Sequence, residues 1–200
     1  MYQDLNGDGK ISSGASTLDD HGDLTVVGNT SPRYPFSLDL KANWKGFDVR
    51  GFIQGIMQRD YEVATNNFYF WGQVGIWNST VFIEHLDYFR DDPNSPLGQN
   101  TDPYYPRPIF NNTKNKRTQS RYTLNSAYTR LKNLQVGYTL SPSITKKLAI
   151  QKCRVYVSAE NLLTITKMKT MFDPETVDGG WGGNIYPLSK VYSLGVSLTF

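Results

Sequence analysis

The stretch FSLDLKANWKGFDVRGFIQGIM, residues 36–57, decides the fold of this chain. From Phe36 to Trp44 apolar residues alternate with polar ones, which is the period of two expected for a β-strand with one apolar face. Lys45-Gly46 follows as a turn, and a second alternating run extends from Phe47 to Met57. Two alternating runs joined by a two-residue turn that contains Gly predict a β-hairpin.

Three further alternating runs lie beyond this hairpin, at about Tyr128–Leu140, Arg154–Leu162 and Val191–Phe200. The last is the most regular, because one face of it carries Tyr192, Leu194, Val196, Leu198 and Phe200. Residues 1–34 are rich in Gly, Asp, Ser and Thr and lack apolar periodicity, which indicates a loop. The sequence therefore predicts an all-β chain of about five antiparallel strands.

The connectors between the five strands alternate between short and long. Lys45-Gly46 and Ser141–Gln151 are short, the latter with a helical turn beginning at Pro142, whereas 61–126 and 164–189 are long. Outer-membrane β-barrels have short periplasmic turns and long outer loops. Aromatic residues near the strand ends fit the membrane–water interface; they are Phe36, Trp44, Phe47, Tyr128, Tyr138, Tyr192 and Phe200. The alternative is a soluble antiparallel sandwich with large loops.

The amino-acid composition excludes several structural and functional classes of protein. The chain of 200 residues is 14% aromatic with a mean hydropathy of −0.48, and it has no apolar run of about 18 residues that predicts a transmembrane helix. Its net charge of +3 is too small to indicate nucleic-acid binding. Cys153 is the single cysteine, which excludes an intrachain disulfide and a multi-cysteine metal site. The first residues do not resemble a signal peptide, so if the protein is exported its signal is expected upstream.

Residues 4–10 match the start of a calcium-binding loop, D-x-N-x-D-G. Asp4, Asn6 and Asp8 supply alternate oxygen-bearing side chains, Gly9 permits the sharp turn, and the carbonyl of Lys10 is a further ligand. A bidentate acid is expected at the twelfth loop position, where this chain has Ala15. The alternative is an Asx-rich turn that binds no ion.

Several stretches together resemble the SusC/RagA class of TonB-linked outer-membrane transporters. They occur in the family's order, each is weak alone, and they cover both ends of the chain: DLNGDGKI (4–11), VVGNTSP (26–32), WKGFD (44–48), YTRLKNLQVGY (128–138), RVYVSAENLLT (154–164) and YSLGVSLTF (192–200). The resemblance implies that residues 1–200 are the C-terminal part of a barrel of about 22 strands. Residues 1–34 would be an extracellular loop with the calcium-like motif, and 35–200 would be strands and loops.

The resemblance also implies where the protein is located, what it transports and which partners it has. It predicts a Gram-negative outer-membrane transporter that imports bulky nutrients, glycan oligosaccharides or peptides, with extracellular loops and a C-terminus in the periplasm. The expected partners are a SusD-like surface lipoprotein, TonB acting through an absent N-terminal part, outer-membrane lipid and the barrel-assembly machinery, with no nucleic acid. The competing function is a soluble or surface-attached carbohydrate-binding β-domain. An outer-membrane hydrolase is not favoured, because no Ser/His/Asp arrangement is present.

Two residue assignments follow from the resemblance. In the family, the acid that closes the calcium loop precedes a short run ending in Gly-Asn, and here that acid is Asp23, after an insertion that follows Ile11. The final strand resembles the outer-membrane assembly signal, in which a polar residue, Gly, and alternating hydrophobic residues lead to a terminal aromatic. The matching residues are Ser193, Gly195, Leu198 and Phe200.

No catalytic residues are predicted, and the sequence does not identify the residues that bind the substrate. His21 and His85 are far apart and are interpreted as loop residues, and the acidic residues Asp87, Asp91 and Asp92 as solvated charge or a loop brace. Two interpretations stay open for a set of loop aromatics, which can stack on sugar rings or pack the loops against each other. The set is Tyr104, Tyr105, Trp181 and Tyr186.

Overall fold

The computed structural model describes residues 2–63, 83–108, 118–169, 172–177 and 185–200. Within these ranges the chain is all-β, as the sequence predicted. Its strands are β1 (Arg33–Trp44), β2 (Phe47–Gln58), β3 (Asp60–Glu62), β4 (Thr123–Asn125), β5 (Tyr128–Thr139), β6 (Lys152–Thr166) and β7 (Val191–Thr199). The one α-helical turn there, α1 (Pro142–Thr145), begins at the predicted proline. No helix in the described ranges is long and apolar enough to cross a membrane.

The five long strands form one antiparallel sheet in the order β1-β2-β5-β6-β7. Each long strand therefore pairs with the next long strand along the chain, which confirms the predicted five-stranded arrangement. β3 and β4 pair with each other in a separate two-stranded sheet. The sequence did not predict this pair, because strands of three residues are too short to show a period of two.

The β1–β2 hairpin turns within two residues, as predicted. Trp44 pairs with Phe47, and both intervening residues have left-handed backbone, with φ of 46° at Lys45 and 89° at Gly46. Positive φ at both central positions is the primed turn whose twist matches paired strands, and Gly adopts it without steric cost.

The sheet register collects the apolar residues on one face in continuous rows. One row across the strands consists of Trp44, Phe47, Tyr138, Val155 and Val196. The next consists of Ala42, Val49, Val136, Val157 and Leu194. These side chains remain exposed, for example 52% at Val157 and 75% at Leu194. A sheet whose apolar face is exposed across all five strands needs an apolar environment outside the chain.

The buried hydrophobic core lies among the loops rather than against the sheet. It consists of Tyr61, Val63, Tyr105, Tyr122, Met168, Phe172 and Val177, with Tyr88, Tyr104 and Leu124 packed against it. These residues come from the connectors that follow β2 and β6 and from the short β3–β4 sheet. The two long connectors therefore pack together at one end of the five-stranded sheet.

Candidate functional site

The second face of the sheet is polar and carries ion pairs between neighbouring strands. On β1 and β2, the Arg50 guanidinium donates two hydrogen bonds to the Asp39 carboxylate, at 3.1 and 2.9 Å. Nearer the turn, Arg154 on β6 donates to both carboxylate oxygens of Asp48 on β2 and, at 3.1 Å, to Gln135 between them. Two-point Arg–carboxylate pairs hold both side chains in fixed directions, so this face is an ordered polar wall.

Arg154 can reach Asp48 because the intervening position on β5 is glycine. Gly137 pairs with Asp48 on one side and Tyr156 on the other, and the guanidinium of Arg154 occupies the space beside its Cα. Any side chain at 137 would collide with that guanidinium. Glycine inside a strand commonly marks such a close approach.

A β-bulge in β5 changes which residues face the polar side. Asn133 pairs with Phe52 and Glu160, whereas Leu131, only two residues earlier, pairs with Ile53 and Leu163 on the opposite face. Lys132 is therefore an extra residue relative to β2. A bulge of this kind redirects the side chains beyond it.

The consequence of the bulge is that Tyr128 and Arg130 lie on the polar face. Simple alternation predicts that they share the apolar face with Leu134 and Val136. On that basis the sequence predicts that Tyr128 is one of the aromatic residues at the membrane interface. That interpretation of Tyr128 is wrong. Its side chain is buried opposite Ile56 and Thr166, and Arg130 beside it is 3% exposed. Burial raises the free-energy cost of a lone charge, so Arg130 needs ionic partners.

Those partners come from the connector between β6 and β7. Arg130 donates to Asp173 at 2.8 Å, to Glu175 at 2.9 Å and to Thr164 Oγ1 at 2.8 Å, while Lys132 donates to Glu175 at 2.9 Å. Burial alone raises the pKa of Asp173, but hydrogen bonds from the Glu175 amide and Arg130 outweigh it, so the net shift is downward. No local pattern predicts this cluster, since the basic residues of β5 and the carboxylates that they contact are more than 40 positions apart.

The loop aromatics fall into two groups in the structure. Tyr105 is 4% exposed in the loop core, and Tyr104 packs edge-on against both Tyr105 and Tyr122, with the Lys169 ammonium 3.7 Å from its ring centroid. Burial raises the pKa of Tyr122 to about 12. These rings pack the loops together. Tyr186, by contrast, is 85% exposed, and Trp181 lies outside the described residues.

The acidic residues near 90 brace their loop. Asp87 accepts hydrogen bonds from the Asn100 side chain at 2.8 Å and from the Tyr104 amide at 3.0 Å, and these bonds lower its pKa. Asp92 accepts from the Asn94 amide at 2.8 Å in a local turn. His85 packs edge-on against the Tyr105 ring at 5.2 Å. These contacts accord with the interpretation of these residues as loop elements.

The calcium-like loop folds around its own carboxylates. Asp4 accepts from the amides of Gly7 and Gly9 at 2.6 and 2.9 Å, and Asp8 accepts from the amide of Lys10 at 2.7 Å. Asn6 accepts from the amide of Asp8 at 3.1 Å. These successive turns present oxygens of the type that calcium prefers. Among the described residues, however, no three His, Cys, Asp or Glu side chains converge closely enough to hold a metal ion.

Asp23 lies against this loop although it follows Leu5 by 18 positions in the sequence. Its two carboxylate oxygens accept from the amides of Leu5 and Ser12, each at 2.7 Å, and these bonds lower its pKa. The Asp23 amide in turn donates to the Ser12 carbonyl at 2.9 Å. The insertion between Ile11 and Asp23 thus begins and ends at adjacent points, which leaves Asp23 beside the loop that it is predicted to close.

The last strand presents the residues of the predicted assembly signal on both faces. Leu198 is on the apolar face opposite Cys153, and Phe200, 77% exposed, follows β7 in the same alternation. Ser193 and Gly195 are on the polar face, opposite Ser158 and Tyr156. β7 is an edge of the sheet, so its outer backbone groups are available to a further strand.

Comparison with known proteins shows which proteins the chain resembles. No protein-family model matches the chain. TonB-dependent receptor P3 of Formosa agariphila is 29% identical over the whole chain, which spans 19% of that receptor. Among solved structures, the RagAB peptide importer is 27% identical in its open-open state, with a TM-score of 0.62 over 92% of this chain and 19% of that one.

Two further RagAB structures agree. The closed-closed state has a TM-score of 0.63 at 27% identity over 92% of this chain, and a structure of the RagAB peptide transporter has 0.57 at 30% identity over 81%. In both fold and sequence the chain is thus similar to TonB-dependent receptors, which are outer-membrane proteins. This similarity agrees with the resemblance to SusC/RagA receptors that the motifs of the chain carry. The chain spans about a fifth of the length of these relatives.

Proposed function

We propose that this chain forms the C-terminal strands and outer loops of a TonB-dependent transporter that imports a bulky nutrient across the outer membrane. The observation that carries the proposal is the pair of faces on one sheet. The apolar face is exposed across all five strands, while the opposite face is lined by ion pairs. A barrel strand in a membrane needs this division, with apolar side chains toward lipid and polar side chains toward the lumen.

The arrangement of connectors supports one orientation. The two short connectors, at Lys45-Gly46 and Ser141–Gln151, lie at one end of the sheet, and the packed long connectors lie at the other. In the proposed orientation the short ones are periplasmic. Residues 1–34, 61–126 and 164–189 are then extracellular, with 1–34 the loop that carries the calcium-like motif and 35–200 the strands and remaining loops.

The partners of the whole transporter belong to the same proposal. A SusD-like surface lipoprotein contacts the outer loops, TonB supplies energy through a part of the receptor outside this chain, and the barrel-assembly machinery inserts the barrel into outer-membrane lipid. Support comes from the similarity to the RagAB importer and to receptor P3. The competing function, a soluble carbohydrate-binding β-domain, is disfavoured because its sheet would have to bury the apolar face.

The cargo is a glycan oligosaccharide or a peptide. The name of the RagAB peptide importer favours peptides by analogy, whereas the exposed ring of Tyr186 also suits a sugar. The test is growth of the source bacterium with the receptor gene deleted, on oligosaccharides or on peptides as the limiting nutrient. Loss of growth on one nutrient that the intact gene restores supports import of that nutrient. Unchanged uptake of both classes contradicts the proposal.

A further inference from the structure

A buried charge cluster joins the β6–β7 connector to the polar face of the sheet. The side chains of Arg130 and Asp173 are 3% and 6% exposed, and that of Glu175 is 22% exposed. Arg130 contacts both carboxylates, and Lys132 contacts the second. Buried charges are stable only while their partners remain in place, so the cluster ties the position of Asp173–Val177 to that of β5.

Asp173 also organises the connector itself. Its Oδ1 accepts from the Glu175 amide at 2.9 Å, its Oδ2 accepts from the Leu188 amide at 3.1 Å, and its carbonyl accepts from the Val177 amide at 3.0 Å. The Asp173 side chain is therefore hydrogen-bonded to β5 through Arg130, to its own turn through the Glu175 amide, and to the segment before β7 through the Leu188 amide. Movement of this turn as a unit would keep the two bonds within 173–177 but break those to Arg130 and to the Leu188 amide.

Apolar packing secures the same turn from its other side. Phe172 and Val177 belong to the loop core, where the Phe172 ring lies edge-on to Tyr61 at 5.8 Å. Arg59, 4% exposed, donates to the Pro174 carbonyl and, at 2.9 Å, to Ser126 Oγ. The turn thus lies between two buried arginines, one in β5 and one between β2 and β3.

We propose that Asp173–Val177 is a fixed part of the lumen wall, clamped by Arg130, and that it does not move as a gate when the transporter opens. The physical reason is that the β5 bulge places Arg130 in a buried position, away from solvent, where it faces this turn. Withdrawal of the turn would separate the Arg130 guanidinium from both carboxylates and leave it only the Thr164 hydroxyl among the partners named here. The inference rests on the proposed transporter barrel and on these contacts, and not on the nutrient that is carried.

Hydrogen–deuterium exchange of the intact receptor in detergent tests the proposal, with peptides that cover 172–177 compared with peptides from the exposed 91–99 segment. In the unmodified receptor we expect 172–177 to exchange much more slowly. Arg130→Met should raise its exchange by at least about tenfold, because it leaves the buried Asp173 carboxylate without the guanidinium that pairs with it. The matched control is Arg50→Met, which removes an exposed ion pair on the same face and should leave 172–177 unchanged.

Asp173→Asn provides a second variant in case Arg130→Met does not assemble. It keeps the size of the side chain while weakening the contact with Arg130, so it should accelerate the same peptides and leave the β1–β2 hairpin protected. The proposal is wrong if 172–177 exchanges as fast as 91–99 in the unmodified receptor. It is equally wrong if the assembled variants match the unmodified receptor.

Discussion

The phenol ring of Tyr156 on β6 lies against the backbone of Gly195 on β7, in the space that any larger residue at 195 would need. The guanidinium of Arg154 lies 4.8 Å from the centroid of the same ring. The glycine of the predicted assembly signal therefore has a definite structural partner. An aromatic ring that covers a strand glycine restores the packing that the missing side chain would have provided.

Gly195→Ala should destabilise the assembled receptor by about 1–3 kcal/mol, because the added methyl group forces Tyr156 out of its position. Urea unfolding of the receptor in detergent measures the change. Combination with Tyr156→Ala removes the collision, so the double variant should lose little beyond the Tyr156→Ala single variant. Purely additive losses would contradict this explanation.

The isolated 200-residue chain should not fold as a stable monomer in water. Its five strands leave unpaired edges at β1 and β7, and its apolar face stays exposed. Thermal denaturation followed by circular dichroism, with sedimentation to determine mass, measures this. A cooperative transition of a monomer without detergent would instead favour the soluble binding domain.

Calcium should bind the 4–10 loop of the intact receptor, with a dissociation constant of about 0.1–1 mM if the loop resembles extracellular calcium modules. Asp8→Ala and Asp23→Ala should each abolish the heat of calcium binding in titration calorimetry. Asp20→Asn is the control, since Asp20 bonds within the insertion to Ala15. The absence of any calcium-dependent heat in the unmodified receptor would leave the loop as a set of Asx turns.

Deletion of Phe200 should sharply lower the amount of receptor in the outer membrane, with degradation in the periplasm. The reason is that a final strand adds to an exposed sheet edge through its backbone while alternate side chains fill pockets, and Phe200 is the predicted terminal one. Immunoblots of outer-membrane fractions measure this, with Tyr186→Ala as an exposed aromatic control. Membrane levels equal to those of the unmodified receptor would reduce Phe200 to an ordinary lipid-facing residue.

Acid should release the 172–177 turn. The pKa of Asp173 is lowered on folding, so its contribution to stability is complete above the ordinary aspartate pKa of about 3.9 and is lost as pH falls through the lower folded value. Exchange of 172–177 should therefore rise below about pH 4 after correction for the intrinsic rate. Asp173→Asn should show rapid exchange already at neutral pH. Unchanged protection of the unmodified receptor at low pH would contradict the assignment.

Much of the sheet could be predicted because alternation is a local property of the chain. The apolar and polar faces of the strands can be read directly from the alternation at 36–44, 47–57 and 191–200. The dipeptide Lys45-Gly46 predicts the turn between the first two strands. The sequence also established, through its motifs, the resemblance to SusC/RagA receptors. It selected Asp23 as the closing acid of the calcium-like loop, and the structure places that side chain beside Leu5 and Ser12; whether calcium binds there stays a prediction.

Only the tertiary structure decided the faces of Tyr128 and Arg130. The run Tyr128, Arg130, Lys132, Leu134 keeps a formal period of two, and nothing local marks Lys132 as an extra residue. The bulge is defined by pairing with β2 and β6, whose register depends on contacts far along the chain. The clamp on Asp173 follows from that bulge, because a charge turned into a buried position must find its partners among residues that only folding brings close.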